Sequence, residues 1–156
     1  KKQLVHFHDY NNMRGPNPLK KFNNLGVLTT GFGGKTAEED FHPGVDFAND
    51  KGTPIPTTVG GIVTKAEGGH VQGENNFGNT VEIKDANGDT HQYHHLDQIN
   101  VRPGQQVEPG QDVATMGNSG ATYSASGRGD GTHLDYRIVT AYGKYKNPSE
   151  YLNKFL

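Results

Sequence analysis

His42 and Asp46 are separated by Pro43-Gly44-Val45. In an extended-to-turn segment that spacing lets an imidazole and a carboxylate converge on one point, and both are ordinary zinc ligands. His-x-x-x-Asp also occurs by chance, so the pair gains weight only from company. His133 and Asp135 are two apart in Thr132-His133-Leu134-Asp135. Strand alternation puts both on one sheet face and turns Leu134 to the other, into a core. In Gln92-Tyr93-His94-His95-Leu96 the same alternation groups Gln92, His94 and Leu96 on one face and Tyr93 with His95 on the other. Only one of the two histidines then faces a site on a given side, and the pattern does not say which. The chain has no Cys, so a metal site here must be built from His and carboxylates.

The elements that must position these residues are strands. Gly60–Lys65, Asn79–Lys84 and Thr90–Leu96 read as β-runs, with Asp85-Ala86-Asn87-Gly88-Asp89 supplying an Asn-Gly turn for a hairpin. Further strands are expected at 106–108, 112–116 and 133–139, with Pro103-Gly104 and Pro109-Gly110 as turn punctuation. Pro148 opens one short C-terminal helix over 148–155. Residues 1–24, rich in Asn and broken by Pro16 and Pro18, read as a linker or arm, and 25–156 as the domain proper. With 22 Gly, 8 Pro and 31% hydrophobic residues in 156, the chain suits one all-β antiparallel domain with an economical core and long loops. A net charge of −2 gives no pull toward nucleic acid, and no apolar run is long enough to span a membrane. A monomer that forms part of a longer, multidomain protein is expected.

Taken in order, the motifs resemble the lysostaphin-type zinc endopeptidases of bacterial cell walls. The likeness runs over roughly residues 29–152. It is carried by Thr30-Gly31-Phe32-Gly33, His42-Pro43-Gly44-Val45-Asp46, Gly52-Thr53-Pro54-Ile55, Gly78-Asn79-Thr80-Val81-Glu82-Ile83, Tyr93-His94-His95-Leu96, Gly117-Asn118-Ser119-Gly120, Gly131-Thr132-His133-Leu134 and Asn147-Pro148 with Tyr151-Leu152. The resemblance implies an antiparallel sheet with long loops around a narrow groove and a single Zn2+. It implies His42 and Asp46 as ligands, and His95 and His133 as the two unligated catalytic histidines. The third ligand falls at Asp135, where the family carries His.

Three readings of Asp135 follow. It ligates the ion, or the site is disabled, or His70 or His94 supplies the missing donor. The implied function is zinc-dependent hydrolysis of peptide cross-links or stem peptides in peptidoglycan, outside the cell or at the wall, or in a phage virion or lysin. The alternative is an inactive relative that binds wall or activates a partner protein. Tyr93 and His70 are the expected substrate-binding residues. The loops at 68–78 and 118–131 are the expected groove walls, with Phe77, Tyr123 and Arg128 as candidates in them.

Overall fold

A computed structural model describes residues 24–36, 39–123 and 129–153. Residues 1–23 of the segment expected as a linker or arm over 1–24, and Arg128, lie outside the described residues. Ten strands form one antiparallel sheet. They are β1 (Val27–Thr30), β2 (Val45–Ala48), β3 (Pro54–Pro56), β4 (Gly61–Glu67), β5 (Asn79–Lys84), β6 (Thr90–Ile99), β7 (Gln106–Val107), β8 (Asp112–Met116), β9 (Leu134–Val139) and β10 (Tyr145–Lys146). The main path runs β1-β2-β9-β6-β5-β4-β7, with β10 on β9 and β8 joining β6 to β3. Among the described residues one helix, α1 (Pro148–Asn153), follows, as Pro148 predicts. The all-β expectation holds.

The β5–β6 hairpin forms where the Asn-Gly turn stands. Asp85 N–H donates to Asp89 O at 2.9 Å, and Asp85 Oδ1 accepts from Asn87 N and Asp89 N at 2.9 and 3.0 Å. An Asp side chain bonding backbone two residues ahead is a turn-forming device. The strands β2, β9 and β6 lie side by side, with Asp46 opposite Asp135 and His94 opposite Asp135 across the next ladder. Residues directly opposite share a face. Asp46, Asp135 and His94 therefore stand on one face, while Val45, Tyr136 and Tyr93 stand on the other.

That other face is the core. Val45, Ile55, Val81, Ile83, Tyr93, Leu96, Leu134, Tyr136 and Ile138 are fully buried there. Tyr93 and Tyr136 stack with centroids 4.8 Å apart. Their hydroxyls meet Thr58, which bonds Tyr136 Oη at 2.7 Å and donates its N–H to Tyr93 Oη at 3.2 Å. Buried His91 links Tyr136 Oη (2.7 Å) to Asp85 Oδ2 (2.9 Å). The core thus carries a polar chain in which every link has a partner, the condition under which buried polar groups are tolerated.

The β5 and β6 registers disagree by one residue. Val81 faces Tyr93 but Asn79 faces Leu96, so His94 and His95 together oppose Thr80. This is a β-bulge. It occurs at the motif that sequence alternation leaves ambiguous.

Candidate metal centre

The ligating atoms of His42, Asp46 and Asp135 lie within 4.8 Å of one another, and all three residues are buried. His42 sits in the approach to β2, Asp46 within β2 and Asp135 on the neighbouring β9. The close approach of the two segments requires Gly44. A Cβ built there would fall 2.6 Å from Arg137 Cγ and 2.7 Å from Tyr136 O. Among the described residues no other His, Asp or Glu joins this group. His94 and His70 therefore do not supply a third donor.

The bulge re-aims His95. Its φ is +63°, the one non-Gly residue in the left-handed region among those described. Such a residue costs on the order of 1–3 kcal/mol and persists only when its surroundings hold it. Here His95 N–H donates to Phe77 O at 2.9 Å, and Nδ1 donates to Ser119 O at 2.8 Å. Ser119 is fixed in turn, its Oγ donating to Leu96 O and accepting from Asn79 N. Gly78 makes room for this contact, since a Cβ there would come 2.4 Å from Ser119 O.

His95 and Tyr93 are therefore not on one face, as simple alternation predicts. Tyr93 is 1% exposed in the core and cannot touch a ligand in the groove, while the His95 ring lines it. His133 immediately precedes β9, and its Nδ1 donates to Gly131 O at 2.9 Å. The two rings are 4.7 Å apart. A carbonyl only accepts, so each Nδ1 carries its hydrogen, and each neutral ring keeps its lone pair on Nε2. Burial and the neighbouring His133 lower the pKa of His95, favouring that neutral form.

These residues line an open groove of about 1540 Å³. Residues 40–148 match the family described as Peptidase family M23. The chain belongs to this family. Escherichia coli murein hydrolase activator NlpD is 35% identical over 116 residues, and Vibrio cholerae peptidoglycan DD-endopeptidase ShyC is 33% identical over 114. The matches cover 74% and 72% of this chain but only 27% and 23% of those proteins, so it spans about a quarter of their length. The Staphylococcus simulans lysostaphin catalytic domain superposes with a TM-score of 0.69 over 86% of this chain and 97% of that one. At 24% identity, this likeness speaks for the fold.

The candidate donor set here is His, Asp, Asp. Chemically it suits zinc, which accepts imidazole nitrogen and carboxylate oxygen. Its surroundings suit an ion at His42. Glu39 Oε1 accepts from His42 Nδ1 at 3.1 Å, the carboxylate–histidine pairing that leaves Nε2 for the metal. His42 Nε2 instead meets Asp46 Oδ1 at 2.9 Å. Both nitrogens facing carboxylates means both carry protons without a metal. Burial opposes that charge, but the hydrogen bond to Asp46 and the fields of Asp46 and Asp135 raise the pKa to about 9. An ion at this position replaces one proton.

Asp135 is held differently. Arg137 Nε donates to Oδ1 at 2.9 Å and Nη2 to Oδ2 at 2.8 Å. Nη2 also reaches Glu39 Oε1 at 3.0 Å. Burial alone would raise the Asp135 pKa, and the Arg137 bonds and charge outweigh it and lower it. A carboxylate has about four lone-pair positions, so the fork leaves acceptor capacity for an ion. The residues present fit zinc, with a fixed cation as neighbour.

Sequence reasoning missed Arg137 and Glu39. Arg137 was findable, since it stands two residues beyond Asp135 on the same predicted strand face. Glu39 precedes His42 in an irregular segment where no period applies. Phe77, an expected wall residue, lines the groove, as does Tyr123. Phe77 stacks on His94 at 4.2 Å, and the Arg137 guanidinium lies 4.7 Å from its centroid. His70 does not reach the groove lining. Its ring is held by Glu67 and Glu74, each at 2.8 Å.

Proposed function

We propose that this M23 domain binds peptide segments of peptidoglycan in its groove and hydrolyses them, with one zinc ion held by His42, Asp46 and Asp135. The observation that carries the reading is the pairing of a three-donor cluster with two histidines lining the same groove, each tied to a backbone carbonyl through Nδ1. A bound zinc would supply a lowered water pKa and a polarised scissile carbonyl. His95 and His133 supply proton transfer and hydrogen bonds. One Nε2 takes the proton of the attacking water, and the protonated ring then donates to the oxyanion or to the departing amine. The backbone carbonyls of Ser119 and Gly131 fix both rings in the required tautomer. Phe77 and Tyr123 on the groove walls replace Tyr93 and His70 as candidate substrate contacts.

A second reading rests on one observation, the Arg137 fork on Asp135. A site already neutralised by its own cation suits a domain that binds wall peptide, or activates a partner, without cleaving. Both readings place the protein at the bacterial cell wall.

Elemental mass spectrometry of purified protein separates them, with His42→Ala as control, followed by digestion of purified peptidoglycan and muropeptide analysis. Near-stoichiometric zinc, lost in His42→Ala, together with new peptide ends, supports the hydrolase. Absence of zinc and of cleavage after zinc is supplied overturns it.

A further inference from the structure

We infer that Arg137 is a built-in competitor for Asp135, so that a metal ion gains its third protein ligand only against the guanidinium. The inference rests on the metal-binding reading above but is tested separately from it.

Three observations carry it. The fork engages both Asp135 oxygens, at 2.9 and 2.8 Å, and both side chains are about 95% buried. Bidentate Arg–carboxylate pairs are the strong, geometrically specific ones, and burial strengthens them further. Next, Arg137 can weaken this bond without being left bare. Glu39 Oε1 and Oε2 lie 3.0 and 3.4 Å from Nη2 and Nη1, and the Phe77 face is 4.7 Å away. Its stem packs against Gly44, where a Cβ would come 2.6 Å from Cγ, so Asp135, Glu39 and the Phe77 ring together surround the head group. Finally, the guanidinium is a fixed charge, because it does not deprotonate in proteins. Its repulsion of a divalent ion at Asp135 therefore persists whenever the fork is closed.

The test is zinc affinity of the full chain after stripping with a chelator, read by competition with a chromophoric chelator, for wild type, Arg137→Met and Arg137→Lys. Arg137→Met is expected to bind zinc at least about tenfold more tightly. Zinc should also raise its melting temperature more than it raises that of wild type. Arg137→Lys, a compact ammonium that cannot fork, is expected between the two. Equal or weaker binding by Arg137→Met overturns the inference and makes Arg137 a clamp that positions Asp135. Should Arg137→Met fail to fold without zinc, Arg137→Lys decides on the same criterion. Zinc binding by Arg137→Met but not by wild type supports the inference while defeating hydrolysis by the native domain. No binding by either variant or wild type at millimolar zinc overturns both.

Discussion

Strands β6 and β9 carry polar chemistry on both faces, and the two faces handle it in opposite ways. On the core face, Asp85, His91, Tyr136, Thr58 and Tyr93 form a sealed chain of partners. On the groove face, charged groups outnumber the partners available. Asp135 and Glu39 share Arg137, His42 sits between two carboxylates, and His94 Nε2 is buried with no hydrogen-bond partner. A satisfied network specifies packing, while an over-subscribed one retains capacity for a ligand. Substitutions on the two faces should therefore fail in different ways.

The largest effect is expected at the groove histidines. His95→Ala and His133→Ala should each lower peptidoglycan hydrolysis by about 10²- to 10⁴-fold, the range associated with positioned acid–base groups. Melting temperatures should stay close to wild type, because neither ring is a core contact. A large thermal loss in either variant would break the contrast between faces. The mirror experiment is His91→Ala on the core face. It leaves Asp85 Oδ2 with only the longer bond from Tyr151 Oη (3.3 Å) and Tyr136 Oη with Thr58 alone, and about 2–4 kcal/mol of unfolding free energy should be lost. Zinc stoichiometry and activity per folded molecule should be unchanged. Urea titration against zinc content in the same samples checks both halves.

A smaller effect sharpens the contrast within the groove face. His42 in the metal-free protein holds its proton up to about pH 9. Zinc must displace that proton, so affinity should rise about tenfold per pH unit below pH 9 and level off above it. Isothermal titration in buffers of different ionisation enthalpy should count close to one proton released. Zero released protons would show that His42 is not a ligand.

Much of this contrast was legible in the residues, and the exceptions share a cause. The β5–β6 hairpin and β9 follow from Asn-Gly turn chemistry and two-residue alternation, and so does the placement of Leu134 in the core opposite Asp135. Alternation failed at His95 because it assumes a uniform strand. The kink depends on Ser119 O and Phe77 O, 24 and 18 positions away in sequence, which no local pattern reports. Tyr93 fell to the core by the same error. Arg137 obeyed the period but was passed over, since a cation beside a metal site is not what ligand spacing looks for. The short strands β1, β3 and β10 owe their existence to pairing with β2, β8 and β9 rather than to their own residues.

The last expected effect is a stability profile, spread over several pH units, in which two groove-face histidines pull in opposite directions. Burial drives the His94 pKa from 6.5 to about 3, with no compensating partner at Nε2. The unfolded chain then binds more protons than the folded one between these values, and stability falls as pH drops below 6.5. His42 is raised from 6.5 to about 9, so its contribution is complete below pH 6.5 and is lost as pH rises toward 9. Metal-free protein should therefore be most stable near pH 6.5, each limb sloping by up to about 1.4 kcal/mol per pH unit. His94→Phe keeps a ring against Phe77 and removes the titration. It should flatten the limb between pH 4 and 6.5 and leave the alkaline limb intact. Saturating zinc should instead flatten the alkaline limb, because the proton on His42 is then gone at every pH where the ion is bound. An acid limb unchanged in His94→Phe would mean the buried ring finds a proton acceptor when charged. The nearest candidate is Asp135, directly across the ladder.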